Sequence, residues 1–183
     1  NISLGHRRLS IIDLSDAGKQ PMSTADNNLK IVFNGEIFNY EELKKDLIKK
    51  GHSFKSNSDT EVLINGYSEY GKNKVNGQFS FAIYDKLKNK LFLARDQLGI
   101  NPLYYYWDKK NFIFASEIKA IIPALDKLEF DQEQLNNYFI YGYTNSSNSI
   151  FKNIYKLAPG SYMEFNLDKN KFKINSYFEF KYK

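Results

Sequence analysis

From Phe79 onward the chain is written in short aromatic and β-branched runs: Phe79-Ser80-Phe81-Ala82-Ile83-Tyr84, Lys90-Leu91-Phe92-Leu93-Ala94, Pro102-Leu103-Tyr104-Tyr105-Tyr106-Trp107 and Phe112-Ile113-Phe114-Ala115. Turn formers such as Lys88-Asn89 separate them, which predicts a mainly antiparallel sheet. Two more strand-like segments, 160–166 and 171–178, come last, and Lys30-Ile31-Val32-Phe33 comes first. That first strand is expected to stop at Asn34-Gly35, a pair that readily takes up positive φ in a tight turn.

Helical patterns occupy the first half. Asn39 is placed to cap a helix with Glu42 as the reciprocal partner of a capping box, Leu43, Leu47 and Ile48 share a face, and Gly51 ends it. A second helix starts at Ser58 or Asp59, spaces Leu63, Tyr67 and Tyr70 helically and stops at Gly71. Shorter helices are expected over 116–122 and 131–141. Without regular βαβ alternation, this arrangement argues for an α+β fold with helices layered on sheet.

With 183 residues, 42% hydrophobic and 16% aromatic, the chain can bury one sizeable core, so residues 1–183 are read as a single domain. The 26 basic and 21 acidic side chains, a formal +5, are interspersed as in 40–46, which favours a solvated surface over a nucleic-acid partner. No stretch has the apolar length of a membrane span and the first residues lack a signal-peptide pattern, so a cytoplasmic setting is expected. The given residues hold no cysteine, which excludes disulfides, thiolate metal sites and a cysteine nucleophile among them. His6 and His52 stand apart without a ligand cluster, so no metal is expected.

Singly, the polar motifs have plain structural explanations. Arg7-Arg8 reads as a surface pair, although a guanidinium is suited to a bidentate grip on a carboxylate. Asn34-Gly35 offers a side-chain amide and a backbone N–H with no Cβ in the way, which can donate two hydrogen bonds to an oxyanion, yet alone it reads as a turn. Ser58-Asp59-Thr60-Glu61 can cap a helix or bring a carboxylate to an ammonium group. The Tyr104-Tyr105-Tyr106 stripe suits core and sheet surface better than a base-stacking platform.

The motifs gain meaning from their order: GHRRLSIIDLS (5–15), QPM (20–22), NGEIFNYEEL (34–43), SDTEVL (58–63), NGQFSFAIYD (76–85), ARDQLGINPLYY (94–105) and FASEIKAI (114–121). Together they closely resemble the glutaminase domain of glutamine-hydrolysing asparagine synthetases, class II glutamine amidotransferases of the N-terminal-nucleophile hydrolase fold. The resemblance continues through 130–165 to Tyr177-Phe178. It implies a layered helix-sheet-sheet-helix sandwich that hydrolyses glutamine to glutamate and ammonia for transfer to an activated aspartate. It also implies that Arg8 holds the glutamine α-carboxylate, Asn34 and the Gly35 N–H form the oxyanion hole, Glu36 lines the pocket and Asp59 meets the α-ammonium group.

In that family the nucleophile is an N-terminal cysteine whose own α-amino group is the base. The given residues start at Asn1 and lack both the cysteine and the Arg-Gly-Pro-Asp segment expected ahead of Gly5-His6-Arg7-Arg8. The expectation is therefore a domain truncated at its N-terminus, lacking its first strand, inactive alone and left with an unpaired sheet edge. The synthetase domain is likewise outside these residues; ATP and magnesium are expected only there, with no cofactor for the glutaminase part. The implied partners are glutamine and the synthetase domain, the latter meeting Arg95, Asp96, Gly99 and Ile100, with a homodimer as an option. Phe38 and Gln78 stand where the family often has tyrosine and methionine, and the connection from Gly71 to Asn76 is a few residues short. Two alternatives stay open: a non-catalytic glutamine-binding or scaffold module, and an amidotransferase for another acceptor such as a sugar carboxylate.

Overall fold

The apolar run Ile31-Val32-Phe33 and the continuous run Phe79–Ile83 pair with each other, and the rest of the fold is built outward from them. The computed structural model describes residues 2–7, 13, 15–71, 75–144 and 147–179. Strand β2 (Leu29–Ile37) runs antiparallel to β3 (Gly77–Asp85), in register from Leu29 opposite Asp85 to Ile37 opposite Gly77. A tight turn, with Asn89 at φ 46° and the Lys88 N–H bonded to the Asp85 carboxylate at 3.0 Å, returns the chain as β4 (Lys90–Arg95). Among the described residues β1 (Met22–Ser23), β8 (Ser161–Asn166) and β9 (Lys171–Ser176) complete a six-stranded antiparallel sheet in the order β1-β2-β3-β4-β8-β9.

Because side chains alternate across a strand, this sheet has two apolar faces. Ile31, Phe33, Phe79, Phe81, Ile83 and Phe92 meet Leu43 and Leu47 of helix α1 (Tyr40–Lys49) and Val62 and Leu63 of helix α2 (Asp59–Tyr70). Val32, Ala82, Leu91, Leu93, Met163 and Phe165 face the other way, onto Leu103 and onto Tyr105 of a second sheet. That sheet has β5 (Tyr104–Trp107) between β6 (Phe112–Ala115) and β7 (Ile154–Lys156). Helix α3 (Ile118–Ile121) packs against β5 and β6 and fully buries Ile121, which lies outside the inter-sheet cluster. The layers are therefore helix, sheet, sheet, helix, the sandwich the resemblance implies.

Several sequence expectations are corrected in detail. Asn39 is the N-cap of α1, but its side chain makes no cap bond to the helix; Asn39 Oδ1 accepts from the Asn76 N–H at 3.0 Å instead, so no capping box forms. The last strand ends at Ser176, because Tyr177 and Phe178 turn back to bond the Gly160 carbonyl. Strand β7 and the two-residue β1 carry too few alternating residues to stand out in the sequence. Helix α4 (Gln132–Tyr141) is capped as expected: Asp131 accepts from the Glu133 and Gln134 N–H groups at 3.1 Å, and Gly142 ends the helix at φ 79°. The connection at 72–74 lies outside the described residues.

Candidate active site

Helix α2 and the end of β2 place the candidate residues. Strand β2 does not stop at Asn34-Gly35: it runs through both to Ile37, with Asn34 opposite Ser80, Gly35 opposite Phe79 and Glu36 opposite Gln78. The reason is a close backbone approach. A Cβ on Gly35, whose φ is +145°, would run into the Gln78 carbonyl oxygen and lie 2.7 Å from Phe79 Cα. Only glycine keeps the two strands paired there.

Backbone groups of an antiparallel strand point alternately to its two neighbours. Phe38 donates its N–H to the Asn76 carbonyl at 2.8 Å, so the even-numbered residues of this stretch face β3. Phe79 spends its own N–H and C=O on Asp96, at 3.2 and 2.8 Å, so Gly35 forms no hydrogen-bonded pair with it. The odd-numbered residues of β2 therefore turn their backbone groups to its outer edge. Along that edge the Gln20 side chain stands in for a strand, accepting from the Phe33 N–H at 2.7 Å and donating to the Phe33 carbonyl at 3.1 Å. Four residues on, Asp59 Oδ2 accepts from the Ile37 N–H at 3.2 Å. Between them the Gly35 N–H has no partner among the described residues.

Asn34 and Glu36 follow Val32 in the alternation, so they lie on the sheet face away from α1 and α2. Both are exposed, and among the described residues neither side chain has a hydrogen-bond or ionic partner. Asp59 is the first residue of α2 and is 6% exposed. The two readings of Ser58-Asp59 are thereby separated: Ser58 Oγ caps the helix by accepting from the Thr60 N–H at 3.1 Å, leaving the Asp59 carboxylate to reach β2. Glu61 holds the approach to the helix by accepting from the Lys55 and Ser56 N–H groups at 2.9 and 2.7 Å. Arg8 lies outside the described residues. A surface concavity of about 640 Å³, lined by Lys44, His52 and Asn57 among others, contains none of Asn34, Gly35, Glu36 and Asp59.

The proposed partner loop needs correction. Arg95 and Asp96 are 6% and 1% exposed, and both are consumed internally. Arg95 donates from Nε to the Asn101 carbonyl at 2.9 Å and from Nη1 to the Leu157 carbonyl at 2.8 Å, and it also bonds the Gly99 carbonyl. The loop wraps the guanidinium so closely that a Cβ on Gly99 would lie 2.9 Å from its central carbon. Neither charge can meet another domain; the exposed side chains of the loop are Leu98 and Ile100, at 62% and 56%.

Two positioning residues were not singled out from sequence. Gln20 appears there only within a three-letter motif, and its strand-like bonding is visible only once β2 is beside it. Asn101 appears there only within the motif ARDQLGINPLYY (94–105), and its side-chain nitrogen lies 3.0 Å from the point a Gly35 Cβ would occupy. Among the described residues no group of three or more His, Cys, Asp or Glu is placed to hold a metal ion.

Comparison with known proteins matches this arrangement to a family. The sequence model of the glutamine amidotransferase domain matches residues 1–178. The putative asparagine synthetase [glutamine-hydrolyzing] 2 of Methanocaldococcus jannaschii is 39% identical over 199 residues, covering 98% of this chain and 38% of that protein. Asparagine synthetase [glutamine-hydrolyzing] 2 of Bacillus subtilis is 42% identical over 185 residues, covering 96% of this chain and 24% of its own length. The chain thus spans 24–38% of these relatives. Among solved structures, the glutamine phosphoribosylpyrophosphate amidotransferase of B. subtilis, complexed with ADP and GMP, shares the fold: TM-score 0.62 and 21% identity over 93% of this chain and 34% of that one. With the motifs in order, the layers in place and the family match spanning nearly every residue, this chain belongs to the glutamine amidotransferase domain family.

Proposed function

We propose that the outer edge of β2 binds free glutamine and forms the substrate-holding shell of a glutaminase that feeds ammonia to an asparagine synthetase. The observation that carries this reading is the unpartnered Gly35 N–H between the Gln20 and Asp59 side chains. Gly35 and Ile37 are two residues apart on one strand edge, roughly 7 Å at about 3.3 Å per residue. An extended glutamine fits this spacing with its side-chain carbonyl at Gly35 and its α-ammonium group near Asp59. Arg8 takes the α-carboxylate and Glu36 borders the amide end.

During hydrolysis a nucleophile adds to the amide carbon and negative charge collects on the former carbonyl oxygen. The Gly35 N–H and the Asn34 amide donate to that oxygen, and because the strand already fixes the Gly35 N–H, that donor needs no reorganisation as the charge develops. The nucleophile itself, in this reading an N-terminal cysteine, is not among the 183 residues. Ammonia transfer involves a partner synthetase domain that uses ATP and magnesium, and the apolar tip Leu98-Ile100 is the part of the 96–101 loop able to touch it. Among the described residues no helix is long and apolar enough to cross a membrane, and the reading sets the protein in the cytoplasm, where free glutamine is at hand.

The test fuses a relative's first strand, beginning Met-Cys-Gly, ahead of Asn1 and measures glutamate release. Activity is expected, with Asn34→Ala lowering kcat by about 10²–10³-fold and leaving the melting temperature unchanged. A folded fusion that binds glutamine but releases no glutamate would replace this reading with a non-catalytic binding module.

A further inference from the structure

Helix α4 buries its polar side and exposes its apolar one. Of its 10 residues only Gln134 is buried. Phe139 and Ile140 stand three and four positions after Asn136, on the side of the helix opposite Gln134, and are 76% and 70% exposed. Tyr138, Tyr141 and Tyr143 are 48%, 62% and 67% exposed, and Phe130 at the base of the helix 54%. The helix is held by its ends. Below it the Asp131 N–H donates to the Ile150 carbonyl and the Lys152 N–H to the Glu129 carbonyl, both at 2.9 Å, and the Phe130 ring stacks on Phe151 at 5.3 Å. A helix this short is marginal in water unless an apolar face is buried, and a contiguous exposed apolar face of this kind marks an interaction surface.

Area and charge say what covers it. At these exposures the six side chains offer roughly 700 Å² per copy, close to the about 800 Å² that each partner gives to a stable interface of standard size. Residues 134–151 carry no charged side chain, in a chain that is 26% charged and +5 overall. Two cationic copies repel each other least through a face without charges. A two-fold contact also lays the patch on itself, so the patch must complement itself. Apolar rings with hydroxyl and amide groups that both donate and accept do so; a face of one charge sign does not.

We infer that the exposed face of α4 is the interface with a second copy of this chain, the two helices crossing at a two-fold axis through Phe139, Ile140 and Tyr143.

The test is sedimentation equilibrium of the full chain over a wide concentration range, alongside Phe139→Asp, Ile140→Asp and, on the other exposed apolar tip, Leu98→Asp. The parent and Leu98→Asp are expected to approach twice 21.4 kDa as concentration rises, and to do so equally at high salt, because no charges meet. Each α4 variant should associate about 100-fold more weakly, and should melt with the parent in dilute solution, where both are monomers. The chain has no cysteine, so Asn136→Cys can carry a single spin label, and dipolar coupling between two labelled copies is expected. A parent that stays monomeric at every concentration would overturn the inference. So would a dimer that survives both α4 substitutions, one that salt dissolves, or one whose labels show no coupling.

Discussion

At position 35 a single absent methyl group decides whether the β2 edge exists. Alanine there would press its Cβ into the Gln78 carbonyl and hold a side chain at φ +145°. Gly35→Ala is expected to cost on the order of 1–3 kcal/mol in strain, read as a lower denaturation midpoint, and to abolish glutamine uptake in the same preparation. Gln20→Ala should cost about 1–3 kcal/mol, because the Phe33 N–H and C=O lose their side-chain partner. A pair of denaturant melts at one pH checks both. The identity of these residues is legible in the sequence; their geometry is not. Asn-Gly is the strongest local turn signal, but local preference yields here to nine residues of register with β3.

Elements explain why one sequence motif separated into two roles. In Arg95–Asn101 the charged residues turn inward to satisfy backbone groups, and the apolar ones turn outward. Burial lowers the Arg95 guanidinium pKa below its ordinary value, but its bonds to three carbonyls still need a cation. Arg95→Glu is therefore expected to destabilise the fold by about 3–5 kcal/mol, because it would leave an uncompensated buried charge beside Asp96. A urea unfolding curve checks this; a variant that melts like the parent would return the side chain to the surface. Helix α2 was legible because Ser58, its apolar spacing and Gly71 agree. That Ser58 caps while Asp59 reaches β2 depends on a strand 22 residues earlier in the chain. Helix α4 was legible from the Asp131 cap, while its exposed Phe139, Ile140 and Tyr141 match no local rule.

For the whole molecule the two apolar faces of one central sheet matter most, and they carry a pH signature. Burial pushes the Tyr67 and Tyr105 hydroxyls up to about 12, one under the helices and the other between the sheets. A phenol whose folded pKa is raised contributes stability that is fully present below its unfolded pKa of about 10 and is lost as pH climbs towards 12. The melting temperature is expected to hold up to about pH 10 and fall beyond it, with part of the tyrosinate absorbance appearing only on unfolding. A melting temperature flat to pH 12 would mean these hydroxyls reach solvent. The sequence by itself determined the strand-rich second half, the helix boundaries that end in glycine, and the family motifs, because these rest on local pattern and residue identity. Only the tertiary structure decided that Asn34-Gly35 lies inside a strand, that Gln20 and Asp59 flank an open N–H, and that Arg95 is internal. Each depends on what a partner element far along the chain brings within hydrogen-bond reach.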